Sequence, residues 1–288
     1  MSAAPAKGTF DYRGDRISYA DYGSGDRVLV LTHGLLMNRR MFDRLAPELA
    51  RRGHRVITID LLGHGRSDRP PEMVHYSMAF FAEQVVALLD HLGIGEAVIG
   101  GTSLGANTTL TVAKDAPERV KAMVVEMPVL DNALLAVGGI FTPILFGLRF
   151  GAPLLRPIAA LARRIPRRNF LVDIGLDWIR QDPEPSAAVL EGLFLGAAAP
   201  HHNERVRMTQ PTLVIGHHAD PLHPFSDSGM LAKELPNVRL IEANSILEWR
   251  LSPKRLNDEL DVFLEDVWSG RPIGDGRSEP EAALRESR

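Results

Sequence analysis

The sequence predicts an α/β protein: a mostly parallel sheet of eight strands, covered by helices on both faces and interrupted by a helical cap. Three observations carry that prediction. Short apolar runs of strand length alternate with segments whose apolar residues recur at helical spacing. The alternation stops between Asp131 and Pro200, where the composition turns apolar with interspersed Pro and Gly. Finally, Gly101-Thr-Ser103-Leu-Gly105 stands at the junction of a strand-like run and a small-residue helical run.

Taken in order, Thr9 to Tyr12 and Arg16 to Tyr22 alternate around the turn Arg13-Gly-Asp15, as a half-exposed antiparallel hairpin does. Val28-Leu-Val-Leu-Thr32 is continuously apolar, the pattern of a strand covered on both faces, and it ends in His33-Gly34-Leu35-Leu36. Met41 to Arg51 is expected to be helical, Arg55 to Asp60 the next buried strand, and Leu61 to Pro70 a loop. Met78 to Leu92 carries helical periodicity, Ala97 to Gly100 leads into Ser103, and Val120 to Val125 is another buried strand. Pro211 to Gly216 and Val238 to Ala243 complete the sheet, and Lys254 to Trp268 forms a closing helix. The expected organisation is a core over residues 1–130, a cap over 131–200, the rest of the core over 201–268, and a disordered tail over 269–288.

Composition narrows the function. Lys and Arg total 33 against 36 Asp and Glu, so no global basic field favours nucleic acid. With no cysteine, disulfides, thiolate nucleophiles and cysteine metal sites are excluded. The N-terminus Met1-Ser-Ala-Ala-Pro-Ala-Lys-Gly8 lacks the apolar stretch of a secretory signal, which gives the expectation of a cytoplasmic protein. In the cap, Arg149, Arg156, Arg163, Arg164, Arg167 and Arg168 follow one another without an intervening acid. Such a segment can rest on an anionic membrane. A lid helix with solvated arginines is the reading preferred here, because Pro153, Pro157 and Pro166 interrupt a long amphipathic helix.

Ser103 is the residue with chemistry to offer. In a tight strand-to-helix turn its backbone is strained, Gly101 and Gly105 leave room for the neighbouring strand and helix, and the hydroxyl is lifted clear of the sheet. The amide of Leu104 then faces the place where a carbonyl oxygen would become an oxyanion.

These residues resemble the α/β-hydrolase superfamily over almost the whole chain. The matching pieces are His33-Gly34, Asp60-Leu-Leu-Gly-His-Gly-Arg-Ser67, the turn at Ser103, and Asp220 in Ile215-Gly-His-His-Ala-Asp-Pro-Leu-His-Pro224. The chain looks like the cap-bearing esterases, lactonases and C–C hydrolases of that superfamily. The resemblance implies Ser103 as nucleophile, the amides of Leu35 and Leu104 as the oxyanion hole, and Asp220 in the position of the triad acid. It also argues against the haloalkane dehalogenase and epoxide hydrolase members, whose nucleophile is Asp.

The chain departs from the family at the histidine that follows the last strand. Counting back from Pro253 reaches Ser245-Ile246, and Ile246 cannot accept a proton. His33 and His64 sit at the right edge but resemble loop positions that brace backbone. His54, His75 and His91 fall away from that edge; His201-His202 has no acid pair for a metal site; His217 and His218 lie in or just past a strand. His223, three residues after Asp220, is the provisional base, and the alternative is a polar loop residue. Its acid partner is Asp220 or Glu126; the alternative for Glu126 is a carboxylate capping N–H groups of the cap.

The expected activity is hydrolysis of a carboxylic ester, lactone or thioester, without cofactor or metal. The substrate is a small apolar, ester-like molecule contacted by His33, Gly34, Phe141 and Ile246, with Ile144, Leu145, Phe146, Leu148, Phe150, Leu154 and Leu155 as further apolar cap residues. No nucleic-acid partner is expected, and a homodimer is admitted. Ile246 favours a second reading, a hydrolase-like protein that binds a ligand without turnover. A cofactor-free lyase or oxygenase on the same scaffold is a third.

Overall fold

A computed structural model describes residues 4–217, 220 and 222–273. Eight strands form one sheet: β1 (Ala6–Tyr12), β2 (Asp15–Tyr22), β3 (Val28–Thr32), β4 (Arg55–Asp60), β5 (Ala97–Thr102), β6 (Val120–Glu126), β7 (Thr212–His217) and β8 (Val238–Ala243). Their spatial order is β1-β2-β4-β3-β5-β6-β7-β8. The β1–β2 and β2–β4 pairs are antiparallel and every later pair is parallel. The predicted limits of β3, β4, β8 and the last helix are those observed; β5 to β7 run one or two residues further toward the carboxyl edge.

Strands buried on both faces need apolar cover on both sides, and the helices supply it. On one face α2 (Met78–His91), α3 (Leu104–Asp115) and α9 (Phe225–Glu234) pack with Phe81, Leu88, Leu110 and Leu231 against Ile57, Ile99 and Val125. On the other, α1 (Leu45–Arg51) and α11 (Lys254–Trp268) pack with Leu49, Leu260 and Phe263 against Leu29, Val98 and Leu213. Only the second half of the predicted 41–51 helix is α-helical; Arg39–Phe42 is a 3-10 turn capped by the Asn38 side chain, which accepts from the Arg40 amide at 3.1 Å. Two short helices, α8 (His202–Arg205) and α10 (Glu248–Leu251), complete the core.

Four helices lie between β6 and β7 in sequence: α4 (Leu134–Phe150), α5 (Ala152–Arg164), α6 (Phe170–Ile179) and α7 (Pro183–Phe194). Buried polar side chains tie both ends of this insertion to the core. The Asp227 carboxylate accepts from the amides of Leu130, Asn132 and Ala133 at 2.7, 3.1 and 3.1 Å. Asn107 donates to the carbonyls of Val129 and Ala198 at 2.8 Å and accepts from the Val129 amide. Arg205, 1% exposed, bonds Glu234 and the Pro200 carbonyl.

Two expectations about the insertion change. Pro157 lies inside α5 without ending it, while Pro166 does fall beyond the helix end. The cap arginines are not simply solvated: Arg149 pairs with Glu191, Arg156 with Glu184 and Arg167 with Asp177, and Arg163 donates to the Arg180 carbonyl. Leu154, Ile158 and Leu161 remain exposed along one stripe of α5, as does Ile165 at its C-cap. Among the described residues, no single helix is long and apolar enough to cross a membrane. His218 and residues 274–288 of the expected tail lie outside the described residues.

Candidate active site

The elbow at Ser103 is built by close approach of backbones. Ser103 has φ +56° and ψ −111°, a conformation costing about 1–3 kcal/mol for a residue with a side chain. A Cβ at Gly105 would lie 2.0 Å from the Thr32 carbonyl oxygen, and one at Gly101 2.3 Å from Thr32 Oγ1, so β3 sits too close to the turn for anything but glycine. The Ser103 amide donates to the Glu126 carbonyl at 2.9 Å and the Ser103 carbonyl accepts from Asn107 at 3.0 Å, which holds the bend from both sides.

The side chain of Ser103 meets a histidine. His223 Nε2 lies 2.8 Å from Ser103 Oγ, and His223 Nδ1 lies 2.8 Å from Asp220 Oδ2. An ionised carboxylate can only accept, so Nδ1 carries the proton and Nε2 is left as acceptor for the serine hydroxyl. Asp220 Oδ1 also accepts the amides of Leu222 and His223 at 2.8 and 3.0 Å. Burial alone would raise the Asp220 carboxyl; the hydrogen bonds and charge from His223, with those two amides, outweigh it and hold the group below its ordinary value.

Around this chain of three lies a cavity of about 80 Å³, lined by Leu35, Leu104, Val137, Phe141, Leu190 and Leu222 among others, with Asn107 as a polar wall residue. The amides of Leu35 and Leu104 find no protein acceptor among the described residues. The Gly34 backbone runs beside Ser103, an added Cβ there standing 3.9 Å from that of Ser103.

Several expected residues are elsewhere. Glu126 does not touch His223. It is fully buried, ion-paired with Arg250 at 2.7 Å, and hydrogen-bonded by Thr102 Oγ1, which also accepts from Arg250 at 2.9 Å. Burial would raise the Glu126 carboxyl, but Arg250, with His217 3.6 Å away, brings it down to about 2. Nor does Glu126 cap the insertion; Asp227 does that. His33 does not contact substrate space: it is buried, its Nδ1 donates to the Gly34 carbonyl at 2.8 Å and its Nε2 accepts the Leu61 amide at 3.1 Å. Desolvation lowers the affinity of both His33 and His64 for a second proton, as suits braces that stay neutral. Ile246 is 40% exposed and lies outside the cavity lining. Of the apolar cap residues expected to meet substrate, Phe141 lines the cavity, beside Val137, Leu190, Leu193 and Phe194 of the same insertion; Phe146, Phe150 and Leu154 are exposed. Among the described residues no cluster of His, Asp and Glu could hold a metal ion.

The fold has counterparts in known proteins. A family model described as the alpha/beta hydrolase fold matches residues 27–141. An enol-lactonase from Burkholderia xenovorans LB400 superposes with a TM-score of 0.73 over 90% of this chain and 100% of that one, at 20% identity. The chain has the α/β-hydrolase fold. It is 27% identical over 282 residues to an uncharacterized protein of Mycobacterium tuberculosis, covering 88% of this chain and 79% of that one. Bifunctional epoxide hydrolase 2 of Mus musculus is 36% identical over 110 residues, 38% of this chain. The chain spans about a fifth of the length of that relative.

Residue types alone missed part of the site. Asn107 is one turn beyond Ser103 on α3, a polar residue on a helix face that is otherwise apolar or hydroxyl-bearing, and that was its signal. Arg250 had none: an arginine in a short helix after the last strand reads as solvated until the fold brings Glu126 beneath it.

Proposed function

We propose that this α/β-hydrolase cleaves carboxylic esters, and by the same chemistry thioesters or lactones, of small apolar acyl groups. The observation carrying the reading is the unbroken chain Ser103 Oγ, His223, Asp220 opening into an apolar cavity. Ser103 attacks the bound carbonyl as its proton passes to His223 Nε2, a transfer that typically contributes about 10²–10⁴-fold. Asp220 holds the imidazole in the required tautomer and stabilises the imidazolium. The developing oxyanion is met by the free amides of Leu35 and Leu104, each worth about 2.7–4 kcal/mol. His223 then returns the proton to the leaving alcohol, and water deacylates the serine by the same route.

The base therefore comes from the loop after β7, and Ile246 leaves no gap in the machinery. A cavity of about 80 Å³ is well under the usual roughly 300–1,000 Å³ of ligand pockets, which favours acetyl to butyryl groups over long chains. An enol-lactonase and a thermophilic esterase from Thermogutta terrifontis among the similar folds support an acyl substrate. The test pairs fluorophosphonate labelling, mapped by mass spectrometry, with hydrolysis of p-nitrophenyl acetate, butyrate and octanoate. Labelling at Ser103 and at least a tenfold preference for butyrate over octanoate are expected. An unlabelled Ser103 would remove the catalytic reading.

A further inference from the structure

We propose that a second cavity, with a lining separate from that of the cavity at Ser103, binds a phosphate-type oxyanion. The proposal stands apart from the hydrolase reading. The cavity has a volume of about 470 Å³ and lies where core and insertion meet: Tyr22, Arg39, Asp60 and Arg66 come from the core, Asp177 and Gln181 from the insertion. It shares no lining residue with the cavity at Ser103.

Its floor is a buried arginine without a full set of partners. Arg39 is 5% exposed, yet its Nε makes no hydrogen bond, standing 3.3 Å from Asp60 Oδ2, and no described residue accepts from its other guanidinium nitrogens. A guanidinium has five donors, and a buried one left without an acceptor, as Nε is here, is costly. An oxyanion with several acceptor oxygens fits that deficit, because it can take two parallel N–H bonds from one guanidinium.

The acids in the wall do not cancel this field, because most are already engaged. Asp60 accepts the amides of Arg39 and Arg66 at 2.8 and 3.0 Å. Asp177 accepts from Asn38, Arg167 and Arg180 at 2.9, 2.6 and 2.8 Å. Asp43 takes the Tyr22 hydroxyl at 3.2 Å, with Arg40 3.8 Å away, and burial raises its carboxyl toward the neutral form. The cations are less committed. Arg69 donates to two carbonyls, of Gly65 and Ser67, and to no carboxylate, while the side chains of Arg66 and Lys7 have no partner among the described residues. Lys7, Arg39, Arg40, Arg66, Arg69 and Arg167 against Asp43, Asp60 and Asp177 leave a surplus of three positive charges, which suits a phosphate or pyrophosphate group better than a monocarboxylate.

The test uses the full chain, with inorganic phosphate and pyrophosphate as probes and sodium acetate and chloride at matched ionic strength as controls. Binding is read by isothermal titration and by the shift in melting temperature. Saturable pyrophosphate binding at 1:1 is expected, at least tenfold tighter than acetate. Arg39→Met, which keeps the apolar stem, and Arg66→Ala, on an exposed side chain whose loss leaves the fold intact, should each weaken it by about tenfold. Equal responses to pyrophosphate and acetate, or an Arg66→Ala protein that binds as the parent does, would overturn the proposal.

Discussion

The loops that follow β7 and β8 leave the same edge of the sheet one strand apart, and they do opposite work. The β7 loop delivers a carboxylate and an imidazole to Ser103, through Asp220 and His223. The β8 loop leaves Ile246 exposed and sends Arg250 back to Glu126 beneath the elbow. Spacing explains the division. At about 4.8 Å per strand, the β7 loop starts roughly 10 Å from the elbow and the β8 loop roughly 15 Å, so a short loop suffices for the first. From the second, a long arginine reaches only as far as β6. In the proposed mechanism the proton acceptor needs a place beside the Ser103 hydroxyl, and the β7 loop starts near enough to fill it. Once His223 fills it, the carboxylate at the end of β6 is free to become half of a structural ion pair.

The comparison breaks first at Ser103. Ser103→Ala and His223→Ala should each lower kcat on p-nitrophenyl butyrate by about 10⁵–10⁶-fold, and Asp220→Asn by about 10⁴-fold, all three with near-parental melting temperatures. An Asp220→Asn enzyme as active as the parent would mean that another group orients the imidazole.

Arg250 supplies the next effect, on stability. Removing one partner of a buried pair leaves a charge uncompensated, and Arg250→Met should cost about 3–5 kcal/mol in denaturant titrations at pH 7. The pH dependence gives a sharper signature. In the parent the Glu126 carboxyl is held below its unfolded value, down to about 2, so its contribution is complete above pH 4.5 and is lost as pH falls toward 2. In Arg250→Met, burial instead raises the group above its unfolded value, so stability declines as pH rises from about 4.5 to 7. Opposite slopes of stability against pH, measured by urea unfolding, are the expected result; parallel slopes would dismiss the pair.

Asp227→Ala comes third. Three buried amides at the start of the insertion lose their acceptor, for about 2–3 kcal/mol and faster proteolysis near residue 130. The smallest effect belongs to Ile246→His, which should change esterase activity by less than about twofold, because the acceptor's place is already taken. A large gain there would show that the β8 loop, not the β7 loop, is the natural home of the base.

Most of the architecture was legible in the residues. Short apolar runs between turn signals read as strands, and the stretches 28–32, 55–60 and 238–243 are the observed β3, β4 and β8, the first two covered on both faces and the third with alternating burial. The glycines flanking Ser103 announced a turn with no room for a Cβ, and Thr32 supplies the reason. The site was half legible. Ser103, Leu35, Leu104, Asp220 and His223 converge as their places along the chain suggested, whereas Glu126, His33 and Ile246 do not join them. The cap was least legible, since apolar residues at helical spacing do not say which face turns inward: Phe141 lines the cavity and Phe150 is exposed.

By itself the sequence determined the sheet, the strained turn and the set of side chains able to move a proton, because backbone sterics and apolar periodicity are local properties. Which carboxylate faces which base, and that an arginine from the last loop neutralises Glu126 while Arg39 is left short of partners, were decided only by tertiary structure. Pairing across strands depends on distances set by the assembled sheet, and no stretch of chain contains them.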